Sequence, residues 1–221
     1  MKEKGIISGK GIEITRGSQD TRVVISQEEL EIRREGKPVN FEVLGTGSVY
    51  LVVDCSSSME EGDKLNQAKR GVINFAKEAK TKGYSIGLIQ FHSYATHLCE
   101  PVQEISILEQ HLKTLDVGGS TYMAEAISLA HQKLKNRKEN RVMVVATDGE
   151  ANGPGDPEAS LEAGEKAKKD DIDIIAIGTD DADQEFLRKL ASRTELGIKV
   201  SREQFEKSIT SAAKMLPKGR R

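Results

Sequence analysis

Ser48-Val49-Tyr50-Leu51-Val52-Val53-Asp54-Cys55-Ser56-Ser57-Ser58 (SVYLVVDCSSS, residues 48–58) is the stretch from which the rest of the chain can be read. Its first half is apolar at odd and even positions alike, as in a strand covered on both faces. Its second half sets one carboxylate and three hydroxyls directly at the strand's end. A turn needs Asp, Ser or Gly for its backbone geometry. It does not need a carboxylate at the tip of a buried strand with hydroxyls two and four residues later. That spacing is the spacing of a ligand set.

Working outward, the same apolar signature recurs in SIGLIQF (85–91), RVMVVAT (141–147) and DIIAIG (173–178). Amphipathic stretches separate these runs. Residues 64–81 place Leu65, Ala68, Val72, Ala76 and Ala79 on one stripe, and residues 122–136 do the same with Ala126, Ile127, Ala130 and Leu134. Further helical patterns cover 157–170, 183–192 and 201–215, the last carrying Phe205, Ile209, Ala212 and Leu216 at helical spacing. Residues 95–99 follow SIGLIQF after only His92, Ser93 and Tyr94. Parallel strands need a crossover of about a dozen residues or more, so this pair must be an antiparallel hairpin at a sheet edge. Residues 197–200 give a short strand for the other edge. The predicted fold is an α/β, doubly wound, mostly parallel six-stranded sheet with one antiparallel edge strand and helices on both faces.

Residues 1–45 read differently. GIEITRG, TRVVIS and ELEIRREGKPVNFEV are short alternating patterns split by Gly and Ser-Gln, predicting a small β-rich extension packed on the main domain. The expected division is therefore 1–45 as the extension, 46–216 as the α/β domain, and 217–221 as a basic, solvated tail.

Composition narrows the classes of function. The chain has 221 residues, 37% hydrophobic and 31% charged, with a formal net charge of −2, which gives no global argument for binding nucleic acid or an anionic membrane. No apolar run approaches the ~20 residues of a membrane span, and the N-terminus lacks the apolar core of a secretory signal. Two cysteines, Cys55 and Cys99, make no disulfide framework, so the expected location is cytoplasmic, with both thiols serving as small packing residues. His92, His97, His111 and His131 lack ligand spacing and are expected in surface or packing roles.

In an open α/β sheet, ligands sit beyond the carboxyl ends of the strands where strand order reverses. Three segments reach that edge bearing oxygen donors: Asp54, Ser56 and Ser58; Gly118-Gly119-Ser120-Thr121; and Asp148, which ends RVMVVAT in the turn TDGEANG. Hard oxygen donors suit Mg²⁺, Mn²⁺ or Ca²⁺, and no His or Cys cluster accompanies them to suggest a softer metal.

DCSSSM, GGST and TDG, in that order, resemble the three segments of the metal-ion-dependent adhesion site of von Willebrand factor A domains. The resemblance covers about residues 48–216. It implies metal ligands at Asp54, Ser56, Ser58, Thr121 and Asp148, with the aspartates often acting through water, and it places the strands bearing Asp54 and Asp148 side by side. Many members carry Gly where this chain has Ser57, and Ser120 stands beside Thr121 as the other candidate hydroxyl. The resemblance further implies a Mg²⁺-dependent adaptor that is not an enzyme and that binds a partner's Asp or Glu. Intracellular members of the family often serve beside AAA+ ATPases or in stress-response complexes.

Around this edge the loops are acidic: Glu60, Glu61, Asp63, Asp116, Glu150, Asp156, Asp180 and Asp181. Such a rim focuses a field on cations and fits a partner whose carboxylate lies within a basic surface. Two other readings stay open. Asp54 is also where a phosphoryl-transfer enzyme would carry its nucleophile on Mg²⁺, although the haloacid-dehalogenase pattern wants an Asp where Ser56 stands. The chain could also be a structural subunit whose metal site stays unfilled.

Overall fold

The computed structural model describes residues 5–8, 11–16, 19–22, 24–25, 30–34, 37–40 and 47–217, with side chains from residue 47 onward. The chain divides into two compact units, Met1–Leu44 and Gly45–Arg221. In the first, β1 (Gly5–Ser8), β2 (Gly11–Arg16) and β3 (Gln19–Arg22) form one antiparallel sheet, and β4 (Val24–Ile25), β5 (Leu30–Arg34) and β6 (Lys37–Asn40) form another. The alternating patterns thus become short antiparallel ribbons, as expected of a β-rich extension. The Gly45-Thr46 joint and the tail after Pro217 lie outside the described residues.

The second unit is built on six strands: β7 (Gly47–Asp54), β8 (Tyr84–Phe91), β9 (Ala95–Val102), β10 (Asn140–Thr147), β11 (Asp173–Gly178) and β12 (Gly197–Lys199). Their order across the sheet is β12-β11-β10-β7-β8-β9, parallel throughout except for β8 with β9. All eight residues of β7 are buried, which requires cover on both faces of the sheet. That cover comes from α1 (Lys64–Thr81), α2 (Ile105–Lys113), α3 (Met123–Leu134), α4 (Asp156–Lys169), α5 (Gln184–Leu190) and α6 (Phe205–Met215). Helix α1 packs with α6, and α3 with α4.

The sequence patterns fall on these elements with two differences. The edge strand β9 runs on to Val102, past the expected end at Cys99, with register shifts opposite Ile86, Leu88 and Ile89. Pro101 is tolerated in it because an edge strand has one side with no ladder to complete. Helix α2 has no counterpart among the expected helices, although Leu108 and Leu112, which it buries, stand one turn apart.

Two tyrosines show how tightly the central strands are fitted. Tyr50 on β7 pairs with Gly87 on β8, and its ring lies where a side chain at Gly87 would stand, a Cβ there falling 2.5 Å from Tyr50 Cε1. The reciprocal pair sets Tyr84 over Gly47. Tyr50 is fully buried, so its hydroxyl needs partners: it donates to Glu100 Oε2 at 2.9 Å and lies 3.0 Å from His97 Nε2. Burial first, and then the Glu100 carboxylate, push its pKa well above the ordinary phenol value. Lys133 and Arg137 close ion pairs on the same Glu100, at 2.6 and 3.0 Å. With the ring anchored at its hydroxyl it cannot swing aside. Gly87→Ala is therefore expected to destabilise the protein by about 1–3 kcal/mol through overpacking, read as a lower urea midpoint at unchanged slope.

Candidate metal centre

The switch in strand order falls between β7 and β10, and their carboxyl ends carry Asp54 and Asp148. Neither carboxylate is exposed by more than 1%. Asp54 closes a local turn, its Oδ1 accepting the Ser56 N–H at 2.8 Å, while Oδ2 accepts the Thr147 hydroxyl at 2.5 Å. Burial pushes the Asp54 carboxyl up to about 6, against the opposing hydrogen bonds from Thr147 and Ser56. The nearby charge of Asp148 adds to the rise.

A chain of hydroxyls joins the two acids. Ser58 Oγ donates to Asp148 Oδ1 at 2.8 Å and lies 3.2 Å from Ser56 Oγ. Since Ser58 has one proton and gives it to Asp148, Ser56 must be the donor in that second contact. The other oxygen, Asp148 Oδ2, is buried and accepts no aligned hydrogen bond from the described residues. It lies instead 2.5 Å from the ammonium of Lys64, an ion pair and not a directed hydrogen bond.

Thr121 is 2% exposed and stands on a loop that the DCSSS turn grips. Gly118 donates its N–H to the Cys55 carbonyl at 2.9 Å, and Ser57 reaches the Gly119 carbonyl with both its N–H and its hydroxyl, at 3.2 and 3.1 Å. Ser57, where glycine is common in the family pattern, thus acts as a second pin between the two loops. On the other side Asn152 clamps the Thr121 peptide, accepting its N–H at 3.0 Å and donating to its carbonyl at 3.2 Å. Four of the five predicted ligand residues are linked by direct hydrogen bonds. The fifth is carried on a loop bonded to theirs.

The acidic rim is only partly where the sequence suggested. Glu60, Glu61, Asp63, Asp116, Glu150 and Asp181 are exposed, although Asp63 is paired with Arg70 at 3.1 Å. Asp156 is not on the rim. It is buried, and its carboxylate accepts the Met123 and Ala124 N–H groups at 2.9 and 3.2 Å, capping α3 from a neighbouring helix. Asp180 is likewise withdrawn, held at 3.0 Å by Lys64 and at 2.6 Å by Arg202. In both cases an internal group takes up the negative charge that an exposed loop would have offered to a partner.

Lys64, Thr147 and Asn152 are residues to which sequence reasoning gave no role in the site. Thr147 had a visible signal, a hydroxyl just ahead of Asp148 at the strand's end. Lys64 had none, because its burial depends on carboxylates 84 and 116 positions away. Two large aromatic side chains, Tyr94 and Tyr122, are exposed among the described residues, at 53% and 37%. Both belong to the Thr121 neighbourhood, since Tyr122 follows it and donates its N–H to the His92 carbonyl, while His92 donates to that of Tyr94. Cys55 and Cys99 are free and buried, and burial pushes the Cys55 thiol up to about 12, so it is a packing group.

The oxygen-only donor set fits a hard divalent cation: two buried carboxylates with neutral hydroxyls between them. Among the described residues no three His, Cys, Asp or Glu side chains cluster as an alternative metal site.

The chain is thus a doubly wound α/β domain with an oxygen cluster at its switch point, and comparison with known proteins gives the family. The sequence model of the von Willebrand factor type A domain matches residues 48–212, and the chain belongs to that family. The vWF domain of the type V pili tip protein Mfa5 from Porphyromonas gingivalis superposes with a TM-score of 0.68 at 13% identity, over 79% of this chain and 96% of that one. Proximal thread matrix protein 1 from the mussel byssus, in a structure with a zinc-occupied MIDAS motif, gives 0.64 at 18% identity, over 76% and 46%. An uncharacterized protein of Mycobacterium tuberculosis is 28% identical over 130 residues, 56% of this chain, and the match spans only 20% of that relative's length.

The Asp156 cap holds the start of α3, two residues beyond Thr121. Asp156→Ala is expected to cost about 1–3 kcal/mol by leaving buried N–H groups without an acceptor, and Asp156→Asn to recover part of it. Urea unfolding of the three proteins side by side checks the order.

Proposed function

We propose that this chain is a protein-binding module whose divalent cation, Mg²⁺ in the cell, is held by Asp54, Ser56, Ser58, Thr121 and Asp148 and takes a carboxylate from the partner. The convergence of Asp54 and Asp148, joined through Ser56 and Ser58 at the strand-order switch, carries the reading. Neutral hydroxyls withdraw little of a cation's charge, which leaves it electrophilic toward an external acid. The charge-assisted contact so formed lies at the centre of an interface, where a single group can dominate affinity.

The surroundings suit that role. Tyr94 and Tyr122 give exposed aromatic surface on the Thr121 side, the residue type most often found at interface hot spots. Glu60, Glu61, Asp116, Glu150 and Asp181 favour a partner with basic residues around its acid. Catalysis by Asp54 is disfavoured, because Ser56 stands where the haloacid-dehalogenase pattern would carry its second acid. Free, buried thiols and the absence of any helix, among the described residues, long and apolar enough to cross a membrane accord with a cytoplasmic setting. A second reading, a structural subunit that works without metal, draws support from the Lys64 ammonium already beside Asp148.

Calorimetric titration with Mg²⁺, Mn²⁺ and Zn²⁺ separates the two, zinc being included because the byssus protein carries it. One ion should bind per chain, and Asp54→Ala or Asp148→Ala should weaken it by at least about tenfold. Proteins captured from native lysate should then be released by EDTA. Titrations showing no heat with any of the three ions, together with EDTA-insensitive capture, would leave the structural reading standing.

A further inference from the structure

A lysine is the wrong residue for the place Lys64 occupies. It is the first residue of α1, where the helix dipole favours anions, and it is only 2% exposed, although lysine is almost never buried without a specific partner. Local rules broken at two levels point to a role in the site. Its ammonium bridges Asp148 and Asp180, at 2.5 and 3.0 Å.

The second carboxylate is itself held in place. Asp180 has the left-handed backbone uncommon for a non-glycine residue, with φ of 47°, and Arg202 grips it through Nε and Nη2 at 3.0 and 2.6 Å. Arg202 in turn lies against Gly62, where a Cβ would fall 2.3 Å from its Nη1. Lys64 therefore has one partner inside the candidate metal site and a second, fixed partner just outside it.

Resting on the proposed metal-binding role, we infer that Lys64 is a resident counter-cation: it neutralises Asp148 in the metal-free protein, competes with the divalent ion, and so makes firm metal binding depend on the partner's carboxylate. Along the direct contacts two carboxylates (Asp148, Asp180) are matched by two cations (Lys64, Arg202), and Asp54 on the adjacent strand end leaves one net negative charge. A divalent ion turns that into one net positive charge, and a single external carboxylate cancels it. As the ion draws on Asp148, Lys64 keeps its bond to Asp180 and need not leave the interior unpaired. The residue acts on affinity through Asp148; it is a positioning and charge-balancing group, not a ligand.

Titration of the full chain with MnCl₂ alone, without any partner, tests this. Lys64→Met, which keeps the length and removes the charge, should bind Mn²⁺ at least tenfold more tightly than wild type, whereas Lys64→Arg should stay within about threefold of it. Lys69→Met, a charge removal further along α1, should change the affinity by less than about twofold if the effect is local. Thermal melts give an independent readout. Lys64→Met should melt lower than wild type in EDTA and gain more than wild type from saturating Mn²⁺, as expected of binding to the folded state alone. Mn²⁺ affinity in Lys64→Met equal to or weaker than wild type overturns the inference, as does a Lys64→Met chain that stays unfolded in Mn²⁺, since the ion should replace the missing charge. If Asp54→Ala leaves Mn²⁺ binding intact, the metal-site reading itself fails; if Asp54→Ala abolishes binding but Lys64→Met leaves it unchanged, only the role of Lys64 fails.

Discussion

Two like charges buried side by side are the constraint that organises this domain. Asp54 and Asp148 end adjacent parallel strands and are both nearly inaccessible to solvent. Burying a carboxylate carries a heavy desolvation penalty, and the charge of Asp148 raises the cost of ionising Asp54 further. Much of the surrounding structure answers that cost. Thr147 and the Ser56 amide hold one acid, Ser58 and Lys64 hold the other, and the hydroxyls of Ser56 and Ser58 bridge them.

The same constraint explains why the loops are tied so heavily to each other. A site assembled from three distant segments keeps its geometry only if the segments cannot drift apart. Here the Gly118–Thr121 loop is bonded to the DCSSS turn by Cys55 and Ser57 and to the β10 loop by Asn152. Asp156 then fixes the helix that follows. Precision in the site thus comes from backbone bonds between loops, supported by a sheet whose central strands are fitted ring against glycine.

Much of this was legible in the linear sequence because it depends on local signals. Apolar runs at both parities marked β7, β8, β10 and β11, a three-residue gap forced the β8–β9 hairpin, and DCSSS, GGST and TDG marked the converging edge. Features decided by distant partners were not legible. An aspartate after a Gly-rich turn reads as a solvated acid, and only the fold reveals that Asp156 serves a helix more than thirty residues away. Asp180 looked like part of an acidic rim because the sequence does not show two cations closing on it. Lys64 stood in the sequence only as the first residue of an amphipathic stretch. Helix α2 was overlooked for a different reason: its nine residues bury only Leu108 and Leu112, too short a stripe to stand out beside longer amphipathic runs.

The two borders of the main sheet have a consequence for how copies of the domain behave near one another. One border is β12, with three residues, and the other is β9, interrupted by register shifts and by Pro101. Neither offers the long, flat ladder on which a foreign chain could extend the sheet. Crowding many copies together, in an array or on a scaffold, would therefore not by itself zip them into fibrils.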